Sequence, residues 1–127
     1  MTIDLENNII ELLRENSPIV ATIKLTKTML DKHIIDANES VRKFSRLFNC
    51  DYDNMLNGDK LTINAQYEDG TLCKINFYRT KARSDRRVSI SGIKKQANIG
   101  DTVAITLINN STIIINVSRK VNEQLRA

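Results

Sequence analysis

From Ile19 onward the chain is written largely in period two, and this constrains its fold more than any other feature. Ile19, Ala21, Ile23 and Leu25 alternate with Val20, Thr22 and Lys24. Leu61, Ile63, Ala65 and Tyr67 repeat the pattern, as do Cys73, Ile75 and Phe77 against Lys74, Asn76 and Tyr78. Such alternation marks strands with one buried and one wetter face. Turn signals separate them: Asn57-Gly58, Asp69-Gly70, Gly100-Asp101 and Asn109-Asn110. The expected strands are Ile19–Leu25, Leu61–Tyr67, Thr71–Arg79, Arg87–Ser91, Thr102–Ile108 and Thr112–Ser118. The intervening helical stretches are short: Thr28–Ile34, Glu39–Phe48 with Asn38 as N-cap and Val41, Phe44, Leu47 and Phe48 on one face, and a single turn at Ile93–Ala97. A βαβ crossover needs a dozen or more residues, so a parallel α/β sheet is disfavoured. The predicted fold class is β-rich (α+β), a mostly antiparallel open barrel of about seven strands with short flanking helices.

One domain accommodates all 127 residues. Residues 1–17 read as an extra amphipathic helix centred on Ile3–Glu15 and ended by Ser17 and Pro18. Residues 19–118 form the barrel, and 119–127 form a polar tail or the start of a linker. Two cysteines and no visible leader fit reduced thiols in a cytoplasmic protein, and no apolar run is long enough to span a membrane.

The charge is concentrated. Lys74 to Lys95 holds eight basic residues (Lys74, Arg79, Lys81, Arg83, Arg86, Arg87, Lys94, Lys95) against one acid, Asp85. The remainder of the chain is mildly acidic, so the net charge of +4 comes from one local patch. A patch of this kind is the electrostatic footprint of a polyanion, with nucleic acid the leading partner. Four of the cations cluster around the Thr80–Arg86 loop, a basic tip on two strands. Residues at such a tip reach base edges while those on its flanks meet phosphates. Arg83 and Ser84, with Arg86, are therefore assigned to bases, and Arg79, Lys81, Lys94 and Lys95 to phosphates or solvent. Asp85 suits either accepting from a cytosine N4 or ordering a neighbouring arginine, and the second role is expected. Arg42, Lys43 and Arg46 form a solvated helix face that can add phosphate contacts.

Catalytic chemistry has little material. His33 is the only histidine and reads as a helix-end residue. Cys50 and Cys73 lack zinc-ligand spacing and read as structural. Asp51, Asp53 and Asp59 surround a turn without the acid-x-Lys pair of a metal-dependent nuclease, and no glycine-rich phosphate loop is present. No metal, no cofactor and no enzymatic activity are expected.

The order of elements resembles a known family. Lys24-Leu25-Thr26 enters a helix; a hairpin and the basic loop follow; Arg87 to Ile93 (Arg-Val-Ser-Ile-Ser-Gly-Ile) leads through a short helix to Ile99 to Val103 (Ile-Gly-Asp-Thr-Val) and an apolar hairpin. Over Ile19 to Ser118 this looks like the DNA-binding pseudobarrel of plant B-three transcription-factor domains and of the effector domains of EcoRII-type and BfiI-type restriction endonucleases. The plant domains carry Trp where this chain has Ile93, so the likeness is nearer the bacterial branch. The resemblance implies two arms clamping the DNA major groove: Lys24, Thr26 and Lys27 on one, and Arg79, Lys81, Arg83, Ser84, Arg86 and Arg87 on the other. It further implies sequence-specific recognition of double-stranded DNA within a restriction system for host defence, partnered by a nuclease or an NTP-driven motor. A transcription regulator of the same fold, a single-stranded nucleic-acid-binding barrel and a protein-binding basic module stand as alternatives. An aromatic content of 5% weighs against the stacking barrel.

Overall fold

The structure is a computed structural model and describes residues 19–109 and 111–120. The expected Ile3–Glu15 helix and the end of the tail lie outside the described residues.

Strand β1 (Ile19–Lys24) buries Ala21 and Ile23 and exposes Val20, Thr22 and Lys24, as its alternation requires. Leu25 continues the buried set but leaves the ladder, its N–H bonded to Asp101 O and its carbonyl to Gly100 N. Helix α1 (Lys27–Lys32) begins one residue before the expected Thr28, because the Thr26 hydroxyl accepts from Met29 N and completes an N-cap. It ends at His33 in the left-handed region, φ 56°. Helix α2 (Glu39–Arg46) is capped by Asn38, whose side chain accepts from Val41 N at 2.9 Å, and buries Val41, Phe44 and Ser45. It stops two residues short of Phe48: the chain tightens at Leu47 and turns through Asn49 at φ 59°. A 3₁₀ turn, Tyr52–Asn54, precedes the rest of the sheet.

The remaining strands are β2 (Lys60–Tyr67), β3 (Leu72–Arg79), β4 (Arg86–Ile90), β5 (Thr102–Leu107) and β6 (Ile113–Ser118), with a one-turn helix α3 (Ile93–Gln96) after β4. They form one sheet in the order β1-β5-β6-β2-β3-β4, curled into a half-barrel. Four neighbouring pairs are antiparallel; β2 and β6 pair in parallel at Gln66↔Ile114 and Tyr67↔Ile115. That pair needs no dedicated crossover helix, because β3, β4, α3 and β5 supply the return.

Six strands are described where about seven were expected, and a single bridge at Asp36 adds a rudiment of a further one. The segment Ile35–Ser40 lies between the two outer strands. On the β4 side Val88 N bonds to Ile35 O, Ala37 N bonds to Arg86 O, and Asp36 bridges Arg87. On the β1 side the Asn38 amide and Ser40 hydroxyl donate to Thr22 O, and Thr22 N donates to Ser40 Oγ. This strap meets β4 through its backbone and β1 through the Asn38 and Ser40 side chains. The core beneath it includes Ile23, Val41, Phe44, Tyr52, Ile75, Phe77, Val88, Val103, Ile105, Leu107 and Ile115.

Among the described residues one charged group is buried, Asp101, immediately before β5. Asp101 accepts from the backbone N–H of Asn98 and of Lys120 and from Arg119 Nη1, each at 2.9 Å. The two backbone donors, assisted by Arg119, hold its carboxyl below the ordinary carboxylate range. A depressed native pKa contributes stability above the unfolded-state value, lost as pH falls through the native one. Wild type should therefore lose stability below the usual carboxylate range. Asp101→Asn should be less stable at neutral pH and show a flatter acid limb, measured by urea unfolding at pH 7 and pH 3.

Candidate nucleic-acid interface

The basic tip is a built object. Thr80 and Asp85 close the β3–β4 loop: Thr80 N donates to Asp85 O at 2.9 Å and Asp85 N to the Thr80 hydroxyl at 2.8 Å. Inside that ring Ser84 N donates to Thr80 O at 3.1 Å, forcing Ser84 to φ 61°. Lys81, Ala82 and Arg83 are left exposed on the crown, and Ser84 is half-buried. Gly58, at φ 90°, carries the Asn57-Gly58 turn beneath the loop and bonds through its N–H to Arg79 O. A Cβ there would touch the stem of Lys81.

Arg79 is a clamp. Its Nη1 donates to Tyr52 O at 2.8 Å and to Met55 O at 3.4 Å, and its Nε donates to Ser84 O at 3.2 Å. Arg87 is held between two carboxylates, with Nη2 2.8 Å from Asp85 and Nε 2.8 Å from Asp36 as an ion pair without hydrogen-bond alignment; only 14% of its side chain is exposed. Both arginines were assigned to DNA. In the structure Arg79 engages three carbonyls and Arg87 two acids, contacts that hold the loop. Arg86 is more open and pairs with Asp53 at 3.3 Å. Asp85 orders an arginine as expected, and that arginine is Arg87.

Tyr52 completes the buttress. It is buried, its ring meets Phe77 edge-on at 6.5 Å, and its hydroxyl donates to Arg87 O at 2.6 Å. Burial raises its phenol well above the ordinary range, so it acts as a neutral donor. Sequence reading missed Tyr52, Asp36 and Asp53 as supports of the tip; the Asp51 cap that starts the 3₁₀ turn was the visible signal.

The other expected arm leaves from the opposite strand ends. Lys24 pairs with Thr102 and stands beside α1, whereas the tip extends from the ends of β3 and β4 where Arg79 faces Arg86. The strap reconnects them, because Ala37 meets Arg86 while the next residue, Asn38, meets Thr22. Lys24, Thr26 and Lys27 are exposed, and Lys27 forms an ion pair with Asp31. Lys27 holds the Asp31 carboxyl below its ordinary range, and Lys94 adds to the effect. On α3, Lys94 and Lys95 are both exposed. On α2, Arg42 donates to Ala37 O at 2.6 Å and so braces the strap, Lys43 pairs with Glu39, and Arg46 is exposed.

No group of histidine, cysteine, aspartate or glutamate suited to a metal ion occurs among the described residues. Cys50 and Cys73 are buried free thiols. No helix among the described residues is long and apolar enough to cross a membrane.

No protein-family model matches the chain, and no curated protein matches it. Among solved structures it is similar to the N-terminal domain of Helicobacter pylori LlaJI.R1, with a TM-score of 0.51 and 14% sequence identity, covering 84% of this chain and 93% of that one. At that identity the likeness is one of fold.

Proposed function

We propose that this chain is a recognition domain for double-stranded DNA, of the pseudobarrel family its motif order resembles, and that it targets a restriction system. The observation that carries the reading is the basic tip: Lys81, Ala82 and Arg83 stand on a loop fixed by Arg79, Arg87 and the Tyr52 buttress, on a curled half-barrel. Positioning arginines are useful where side chains must reach base edges in a fixed register. The structural neighbour comes from a restriction-system component, which favours that setting over transcriptional control. The domain itself has no catalytic role in this reading, and a nuclease or NTP-driven motor acts as its partner. Phe44, Tyr52, Tyr67 and Phe77 lie in the core, leaving little aromatic surface for stacking unpaired bases and favouring duplex over single strands.

The deciding experiment is selection from a randomised duplex pool at two salt concentrations. An enriched motif is the expected result; indifference to duplex DNA would overturn the reading. Lys94→Ala should weaken all sequences about equally and lower the slope of log affinity against log salt by about one.

A further inference from the structure

We infer that the tip reads keto edges: a guanine through Arg83 next to a thymine whose C5-methyl packs on Ala82. The inference rests on the proposed DNA recognition and follows from which tip groups remain available. Arg79 and Arg87 are turned inward onto carbonyls and carboxylates. Asp85 is turned toward Arg87 through Oδ2 and its backbone closes the loop, so it lies beside the crown and not on it. What stands on the crown is two cations and one methyl group: Lys81, Ala82 and Arg83. Between Thr80 and Ser84 there is no carboxylate and no side-chain amide. Ser84 adds a half-buried hydroxyl, which donates as readily as it accepts.

Side chains of this set offer donors and apolar contact but no dedicated acceptor. In the major groove guanine presents two acceptors, O6 and N7, and thymine presents the O4 acceptor and the methyl group. Cytosine presents the N4 donor, and adenine presents the N6 donor beside N7. Donor groups find only acceptors on guanine and thymine, whereas cytosine and adenine each present a donor. Ala82, central in a three-residue crown, is flanked by both cations, so a methyl contact there adjoins a guanine contact at Arg83. The C5-methyl could also belong to 5-methylcytosine. That base keeps the N4 donor, so the cations of the crown favour thymine.

The test uses the duplex motif recovered from selection, with single-base analogues and the intact chain. Replacing one thymine by uracil should weaken wild-type binding about fourfold, the worth of one buried methyl. Replacing the adjoining guanine by 7-deazaguanine should weaken it about tenfold. Ala82→Gly should lose the uracil effect and keep the 7-deazaguanine effect, and Arg83→Ala should show the converse. Both residues are exposed, and a thermal melt matching wild type verifies the fold of each variant. Uracil bound as well as thymine, 7-deazaguanine bound as well as guanine, or a 5-methylcytosine pair bound as tightly as the thymine pair would each overturn the inference. Those results leave duplex recognition standing. Absence of duplex binding by wild type would overturn both readings.

Discussion

Arg83→Glu should abolish sequence-specific duplex binding while leaving the fold intact. Arg83 is exposed on the crown of the tip and makes no ion pair with any described residue, so its replacement removes nothing that holds the loop. Loss of a bidentate base contact costs roughly 1–3 kcal/mol, and the reversed charge adds repulsion from the phosphates. Affinity for the selected motif should fall by at least about tenfold and approach that for unrelated DNA. Titration of labelled duplex against wild type and variant measures this, with thermal melts as the control. Full retention of specific affinity would sink the assignment of the tip. Arg87 is the instructive contrast, since removing it leaves Asp36 and Asp85 without their shared cation and should disturb the loop before any DNA is added.

Phe77→Ala should have the larger effect on the molecule as a whole. Phe77 is fully buried on β3, between Leu61 on β2 and Val88 on β4, with Tyr52 edge-on to its ring. Truncating a buried phenylalanine typically costs about 3–5 kcal/mol through lost burial and the cavity left behind. That is a large share of the roughly 5–15 kcal/mol that holds an ordinary domain together. Urea unfolding should show the midpoint fall accordingly. A midpoint within error of wild type would overturn the placement of Phe77 in a tightly packed core. Because Tyr52 carries the hydrogen bond to Arg87 O, the surviving folded fraction should also have a looser tip.

The strands were legible because each carries its own record: Ala21 and Ile23, or Cys73, Ile75 and Phe77, report burial every second residue without help from distant chain. Asn38 and the Asn57-Gly58 turn were legible for the same local reason. What escaped was non-local. The parallel pairing of Gln66 with Ile114 has no signature in either strand, and the strap at Ile35–Ser40 pairs too briefly to write an alternation. At the candidate site, charge density located the tip but could not sort its arginines. Arg79 and Arg83 differ by four positions and share one chemistry. Only the three-dimensional placement of Tyr52 O, Met55 O and Ser84 O turns one inward, while the crown leaves the other exposed. The acids Asp36 and Asp53 lie more than thirty residues from the arginines they pair with, beyond any local pattern.

The strap has a consequence for how the protein behaves in concentrated solution. A sheet that curls without closing presents two rims of unpaired backbone, and such rims template the addition of strands from other molecules. Here Ile35 and Ala37 occupy groups of Val88 and Arg86 on one rim, while Asn38 and Ser40 occupy both backbone groups of Thr22 on the other. A single six-residue segment thus occupies the middle of each rim, where an added strand from another molecule would have to pair.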